Sequence, residues 1–231
     1  MVTDNSTWGA PRIHGELLLL GFDVSERSIS RWMKRAPQDP GLARHWQAFL
    51  RNHREVIAAM DFFTLPTVTF NLLYCFFIIS HDRRQIVHFN VTQHPTTSWI
   101  VQPLREAFPY ESAPKFLLFD HAQKYGLEVP AALRSLQITG VPTSIRSPWQ
   151  NGVAERWVGS CRRDLLDHII ALNARHLKRL LSMYASYYHD DRTHLGLHKE
   201  TPGRRIRSGA TGPVICHARL GGLHHRYDRA A

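Results

Sequence analysis

The stretch VIAAMDFF, from Val56 to Phe63, places an aspartate, Asp61, within an apolar run. A second run, FLLF at residues 116–119, is followed directly by Asp120. Short apolar runs rich in β-branched and aromatic residues are typical of buried strands. The sequence therefore predicts two core strands that each carry an acid in or just after the strand.

A third acid, Glu155, lies a few residues into a predicted helix that follows the segment SPWQNG at residues 147–152. Hard divalent cations need oxygen ligands, and a pair of them stabilises both the attacking and the leaving oxygen of a phosphate. Asp61, Asp120 and Glu155 are therefore candidate metal ligands and catalytic residues. A lone aspartate after an apolar run is more often a turn or cap residue, and that alternative applies to each acid singly.

Apolar periodicity predicts an α/β core with the order β-β-β-α-β-α-β-α-α. The first three strands follow one another closely, which favours an antiparallel meander. Helices alternate with the later strands, so a mixed sheet flanked by helices is expected. The predicted elements are strands near residues 56–63, 72–80 and 84–91, a helix near 96–108, a strand near 115–119, a helix near 130–137, a short edge strand near 143–146 and two helices beyond.

From Trp8 to about Arg205 the chain resembles the transposases of bacterial insertion sequences that share the retroviral-integrase type of catalytic core, the DDE recombinases. An acid triplet alone is a weak signal, whereas an ordered set of motifs is specific. The motifs are Asp61-Phe62-Phe63-Thr64, Asp120 with Tyr125-Gly126, Ser147-Pro148-Trp149-Gln150-Asn151-Gly152 through Glu155-Arg156, Arg162-Arg163-Asp164-Leu165-Leu166-Asp167-His168, Tyr187-Tyr188, and Arg192-Thr193-His194 with Thr201-Pro202.

The resemblance implies an RNase H-like fold and a transposase that performs DNA cleavage and strand transfer. Asp61, Asp120 and Glu155 would hold two Mg²⁺ or Mn²⁺ ions, and no covalent enzyme intermediate would form. Both reactions need two DNA ends held together, so a homo-oligomer assembled on DNA is expected. The chain departs from the family pattern at Phe119 and His121 beside the second acid and at His189 after Tyr187-Tyr188.

Helix geometry indicates how Glu155 can face a cleft while its helix packs on the core. At 100° per residue, an apolar arc forms beside the stripe that holds Glu155, and Trp157 anchors it. Arginines near Glu155 could bind phosphates through their bidentate forks, although a solvated basic face is the alternative for each one. The residues predicted to contact DNA are Gln150, Asn151, Arg156, Arg162, Arg163 and Arg192.

The charge of the chain is concentrated in its last third. The 231 residues carry a formal net charge of +10. Residues 1–55 hold 8 basic and 6 acidic side chains, residues 56–145 hold 6 of each, and residues 146–231 hold 15 and 7. An anionic partner is implied, most plausibly nucleic acid, because phosphate neutralisation is the main source of salt-dependent affinity.

The sequence predicts a partial helix-turn-helix segment at residues 1–35, a linker at 36–55, an integrase-type catalytic core at 56–205 and a basic tail at 206–231. In the first segment Ser25 can cap a second helix that carries Ile29, Trp32 and Met33 inward. The first helix offers Ile13, Leu17, Leu18 and Leu20 as apolar positions. An ordinary helical hairpin explains this pattern equally well. In the family this helical pair is the end of a longer DNA-binding region. Because Met1 falls only a few residues before the pair, much of that region is expected to be missing.

Three widely spaced cysteines and the absence of a signal-peptide pattern favour a cytoplasmic, nucleoid-associated protein without membrane contact. Two other functions stay open at this stage. A metal nuclease of the same fold would cut DNA without strand transfer. A catalytically inactive, truncated DNA-binding remnant of a transposase would need no metal.

Overall fold

The structure is a computed structural model that describes residues 8–35, 40–109, 112–120, 126–144, 147–206 and 208–230. The chain divides into two compact units, Met1–Phe49 and Leu50–Ala231. Three residues of the predicted motifs and strands lie outside the described residues, namely His121, Tyr125 and Arg146. No helix in the described part of the chain is both long enough and apolar enough to cross a membrane.

The first unit contains a helical pair, α1 (Ala10–Leu19) and α2 (Glu26–Arg35), and most of α3 (Pro40–Asn52). Ser25 caps α2 as predicted, since the Ser28 N–H donates to its hydroxyl at 3.2 Å. The small core of the pair consists of Ala10, Ile13 and Ile29, with Trp8, Leu17, Val24 and Met33 packed against it.

The predicted inward position of Trp32 is wrong, and two predicted apolar positions of the first helix, Leu18 and Leu20, stay outside the core. Trp32 is 70% exposed, and Leu18 and Leu20 are 48% and 60% exposed. Two short helices make a narrow contact, so only residues spaced by four along each helix, such as Ile29 and Met33, reach it. Leu20 lies beyond the end of α1 and has no helical face at all.

The second unit is built on a five-stranded sheet with the order β3-β2-β1-β4-β5. The predicted meander is confirmed, because β1 pairs antiparallel with β2, and β2 with β3. The strands β4 and β5 run parallel to β1. The strands are β1 (Ile57–Pro66), β2 (Leu72–Ser80), β3 (Ile86–Thr92), β4 (Phe116–Phe119) and β5 (Thr139–Pro142).

The edge strand β5 lies four residues earlier than predicted, at Thr139–Pro142 rather than 143–146. Its partner β4 has only four residues, and the register that pairs Phe116 with Thr139 ends at Phe119 and Pro142. The length of the partner strand therefore decides where β5 ends, which no local pattern in residues 139–146 reveals.

Helices cover both faces of the sheet. On one face α4 (Thr97–Ala107) and α5 (Glu128–Ser135) pack on a cluster that includes Ala58, Met60 and Phe76. The Thr96 hydroxyl caps α4 by accepting from the Trp99 N–H. On the other face lies α6 (Gly152–Asp164), whose Trp157 contacts Phe63 and Phe77. This mixed sheet with flanking helices is an RNase H-like α/β fold, as predicted.

The C-terminal segment is more ordered than the description "basic tail" implies. After α7 (Ala174–Asp190) the chain forms a two-stranded hairpin of β6 (Val214–Arg219) and β7 (His224–Arg229). Gly221 and Gly222 make its turn with positive φ angles of 67° and 96°. The hairpin packs near the end of α7, where Arg219 and Arg226 both reach Asp191.

Candidate active site

The first two acids belong to neighbouring parallel strands. The paired part of β1 and β4 ends where Ala59 lies opposite Leu118. Asp61 and Asp120 each lie two residues beyond this pair. Residues at the same offset on adjacent parallel strands point to the same side of a sheet. The strand register therefore brings Asp61 and Asp120 to one side of the sheet.

Each of these carboxylates has a local hydrogen bond. Asp61 Oδ1 accepts from the Phe62 backbone N–H at 2.7 Å, and Asp61 is half-buried. Asp120 is exposed, and its Oδ1 accepts from the Thr143 hydroxyl at 3.4 Å. Thr143 is held in turn by its N–H, which donates to the Phe119 carbonyl at 2.8 Å. Sequence reasoning missed Thr143 because it assigned that residue to a strand.

The third acid, Glu155, is exposed on the first turn of α6. Two residues later Trp157 is buried, with its ring 4.2 Å from Phe77 and 5.9 Å from Phe63. Phe77 is the cross-strand partner of Asp61, so their side chains share one face of the sheet. The helix that carries Glu155 thus covers the face to which Asp61 belongs, and the predicted anchoring by Trp157 is confirmed.

The donor chemistry of Asp61, Asp120 and Glu155 fits a hard divalent cation, because carboxylate oxygens are the ligands that such ions prefer. Among the described residues, however, no three His, Cys, Asp or Glu side chains form a group that could hold a metal ion. All three acids are described. They therefore share one region of the fold without forming a ready-made ligand set.

The loop before α6 is held by its own polar side chains. The Ser144 N–H donates to Gln150 Oε1 at 2.5 Å. Asn151 is only 5% exposed, and neither polar atom of its carboxamide has a hydrogen-bond partner among the described residues. Trp149 is 37% exposed. Of the two predicted contacts, Gln150 is partly accessible, whereas Asn151 is enclosed, and DNA binding by either stays a prediction.

The four predicted arginines differ in what they already bind. Arg162 is half-buried and its Nη2 donates to the Thr64 carbonyl at 3.2 Å, which ties α6 to β1. Arg156 and Arg163 are exposed on α6. Arg192 is paired with Asp164 at 2.8 Å and lies 5.8 Å above the Tyr188 ring. Arg156 and Arg163 are therefore the most accessible of the four.

A buried polar network around Asp164 was not predicted. Asp164 Oδ2 accepts from the Tyr184 hydroxyl at 3.0 Å and from Arg192 Nε, and Arg192 also reaches Ser160 at 3.4 Å. Burial, followed by the positive charge of Arg192, lowers the pKa of the neighbouring His194 to about 4. The four-residue spacing of Tyr184 and Tyr188 on α7 is the sequence signal that could have indicated this shared inward face.

The network joins three separate segments of the chain, one of which is the helix that carries Glu155. Ser160 and Asp164 lie on α6, Tyr184 lies on α7, and Arg192 lies in the loop that follows. Burial, followed by the nearby Cys161 and Asp164, raises the pKa of Tyr184 well above its ordinary value. Tyr184 therefore stays a neutral donor that fixes the end of the helix carrying Glu155.

Residues 136–202 match the model of the integrase core domain family. This segment contains Glu155 and the four predicted arginines, and it begins after Asp61 and Asp120. The match covers less than half of the chain. This part of the chain is similar to an integrase core domain.

Solved structures agree with this core in fold. The chain is similar to a chain of the simian T-cell lymphotropic virus intasome in complex with the PP2A regulatory subunit B56 gamma, with a TM-score of 0.53 and 16% identity. The similarity covers 75% of this chain and 66% of that chain, which is just under two thirds of its length.

A second similar structure is the HTLV-2 integrase catalytic core domain in complex with magnesium, with a TM-score of 0.51 and 10% identity over 65% of this chain and 95% of that chain. At such identities the likeness establishes the fold alone. No curated protein sequence matches the chain.

Proposed function

We propose that this integrase-type chain is a DDE transposase that cuts the ends of a DNA element and joins them to target DNA. The observation that carries the proposal is the common placement of the three acids. Asp61 and Asp120 lie at equivalent positions beyond the paired part of β1 and β4, and α6 carries Glu155 over the same face.

We further propose that Asp61, Asp120 and Glu155 are the residues that would hold divalent metal. A bound pair of Mg²⁺ or Mn²⁺ ions would supply charge neutralisation for the phosphate and an activated water or 3′ hydroxyl. The related HTLV-2 core was solved with magnesium and in a dimeric form, which supports both a divalent ion and a homo-oligomer.

The remaining residues of this chain would position DNA rather than react with it. Arg163 and Arg156 are exposed cations on the helix of Glu155, suited to phosphate oxygens. Arg162 is fixed to the Thr64 carbonyl and keeps α6 over β1. No side chain need act as a nucleophile, so loss of activity should follow from loss of a carboxylate and from little else.

The test uses the purified full chain and the genomic DNA that flanks its gene as the source of element ends. Asp61→Asn, Asp120→Asn and Glu155→Gln should each abolish nicking in Mg²⁺ or Mn²⁺ while DNA affinity changes little. Asp167→Asn is the matched control, because Asp167 is an exposed acid just after α6 and outside the proposed site. Pre-nicked ends and a supercoiled plasmid should yield joined products with the wild type and none with Glu155→Gln.

The outcomes separate the candidate functions. Near wild-type nicking by Asp120→Asn would refute the assignment of the acids. Nicking without covalent joining under any condition would identify a metal nuclease. Binding of DNA by the wild type with no nicking at all would favour a non-catalytic DNA-binding remnant.

A further inference from the structure

The structure reveals a cationic position that the sequence pattern did not single out, Arg84. This residue lies in the turn between β2 and β3 and has a positive φ angle of 59°. Its guanidinium packs directly on Gly196, because a Cβ at that glycine would lie only 2.0 Å from Arg84 Nη2. A glycine far along the chain is therefore what allows the Arg84 side chain to occupy this place.

The neighbouring Arg54 and Arg83 have partners, whereas Arg84 has none among the described residues. Arg54 donates to the carbonyl oxygens of His81 and Asp82. Arg83 forms an ion pair with Glu200 at 2.9 Å and donates to the Thr201 carbonyl. Within the described residues, no hydrogen bond or ion pair involves the guanidinium of Arg84.

A second guanidinium without such a partner among the described residues belongs to Arg156. Arg156 precedes Trp157, whose ring packs on Phe77 of β2, and β2 ends just before the turn that holds Arg84. Arg156, the residue after Glu155, likewise makes no hydrogen bond or ion pair with any described residue. Burial lowers the pKa of Arg84, and the positive charge of Arg156 is the next largest cause, followed by a smaller opposing effect of Tyr188 and then by Arg54. No carboxylate of the described residues is among these influences.

Two like charges held together, one of them half-buried, raise the free energy of the folded chain unless an anion neutralises them. A structural role for Arg84 would call for an acceptor, as Arg54 and Arg83 show. The missing acceptor thus indicates that the acceptor is supplied by a ligand. A phosphate oxygen fits best, because planar guanidinium groups bind phosphate through paired N–H donors.

We propose that Arg84 and Arg156 together bind one phosphate of the DNA backbone beside the helix that carries Glu155. The proposal rests on the proposed function only in taking DNA as the ligand. Arg156 connects the site to Glu155 through α6, and Arg84 reaches it from the β2–β3 turn. The site would hold the sugar–phosphate backbone in register with the third acid, without reading base sequence.

The experiment measures affinity of the full chain for a mixed-sequence DNA duplex by fluorescence anisotropy over a range of salt concentrations. Arg84→Gln should weaken binding about eightfold at low salt and reduce the slope of log affinity against log salt by about 0.9, the value for one lost phosphate contact. Arg105→Gln is the matched control, because Arg105 is an exposed arginine on α4, on the opposite face of the sheet. It should leave the slope unchanged.

Two further variants sharpen the result. Arg156→Gln should reproduce the loss, and the double variant should reduce the slope no more than either single variant, because both side chains bind the same phosphate. The melting temperature of Arg84→Gln should stay equal or rise, since a repelled charge is removed and no hydrogen bond is lost. If Arg84→Gln fails to fold, Arg156→Gln alone decides the matter through the slope.

Several outcomes would overturn the proposal. These are an unchanged slope in the folded Arg84→Gln variant, an equal loss in Arg105→Gln, or additive losses in the double variant. The proposal and the proposed function can fail separately. If the wild type never cuts DNA but Arg84→Gln shows the expected loss, the phosphate site is supported and the proposed function is refuted. If the wild type cuts DNA and Arg84→Gln leaves the salt slope unchanged, only the phosphate site is refuted.

Discussion

At the scale of single residues, His81 shows how burial beside arginines sets a protonation state. His81 is 5% exposed and its Nε2 has no hydrogen-bond partner among the described residues. Burial, followed by the positive charges of Arg54 and Arg84, lowers its pKa from 6.5 to about 4. The folded chain therefore keeps this ring neutral at neutral pH.

The pH dependence of stability follows from that shift. Above pH 6.5 the ring is neutral in both the folded and the unfolded chain, so it makes no proton-linked contribution. As the pH falls from 6.5 towards about 4, the unfolded chain binds the proton first, and the free energy of unfolding decreases. Between about pH 7.5 and about pH 5 this loss is about 2 kcal/mol.

His81→Phe removes the titrating ring and should therefore remove about 2 kcal/mol of this acid-induced loss. Urea unfolding of the wild type and the variant at the two pH values measures the difference. His225→Phe serves as the control, because His225 is exposed on the hairpin. An identical loss of stability in His81→Phe and the wild type would show that His81 is protonated in the folded chain.

At the scale of elements, one buried carboxylate pairs with an arginine on each strand of the C-terminal hairpin. The Asp191 side chain is 4% exposed and pairs with Arg219 at 2.6 Å and Arg226 at 3.0 Å. His224 adds a stacking contact, with its ring 4.7 Å from that of Tyr187. Arg219 and Arg226 therefore neutralise a carboxylate of the protein itself, which a count of basic residues in this segment does not reveal.

Asp191→Asn should loosen the hairpin while the sheet stays folded, because it leaves two arginines facing a neutral group. Trypsin cleavage at Arg219 and Arg226 should become about ten- to a hundredfold faster, as expected for easier local opening. Mass spectrometry of the early fragments measures this. Asp167→Asn, which changes an exposed acid, should leave the cleavage rate as in the wild type. Equal rates for both variants would mean that Asp191 does not hold the hairpin.

At the scale of the whole molecule, each of the two compact units has a hydrophobic cluster among its described residues. The unit Leu50–Ala231 buries its own sheet between α4 and α5 on one face and α6 on the other. Among its described residues, the unit Met1–Phe49 buries a small cluster of Ala10, Ile13 and Ile29. A core of that size contributes little to stability beyond its own two helices.

A fragment of residues 40–231, which retains all of α3, should therefore unfold at the same temperature as the main transition of the full chain. Calorimetry of the two proteins under identical conditions makes the comparison. A fragment ending at residue 205, without the hairpin, is the contrasting variant and should unfold earlier, because Asp191 loses both arginine partners. A drop of more than about 4 °C for residues 40–231, about 1 kcal/mol in a chain of this size, would show that the first unit stabilises the second.

Local signals explain how much of the core was predictable. Apolar runs such as 56–63 and 72–80 are bounded by turns, and Ser25 stands where a helix needs a cap, so the type and order of these elements follow from neighbouring residues. Positions that depend on a distant partner were predicted poorly. The end of β5 depends on the length of β4, and the exposure of Trp32 depends on the width of a two-helix contact.

By itself the sequence determined the α/β order of the core and the helical pair before it, because these rest on periodicity and spacing within short stretches. It also named three candidate acids, whose role stays a prediction. Only the tertiary structure decided which side chains meet. Three such contacts join residues that are distant along the chain: the register beside Asp61 and Asp120, the pairing of Arg192 with Asp164, and the packing of Arg84 on Gly196. The burial of Asn151 depends on the whole fold around it. Such contacts are set by the packing of whole elements, and packing is a property that no single stretch of sequence carries.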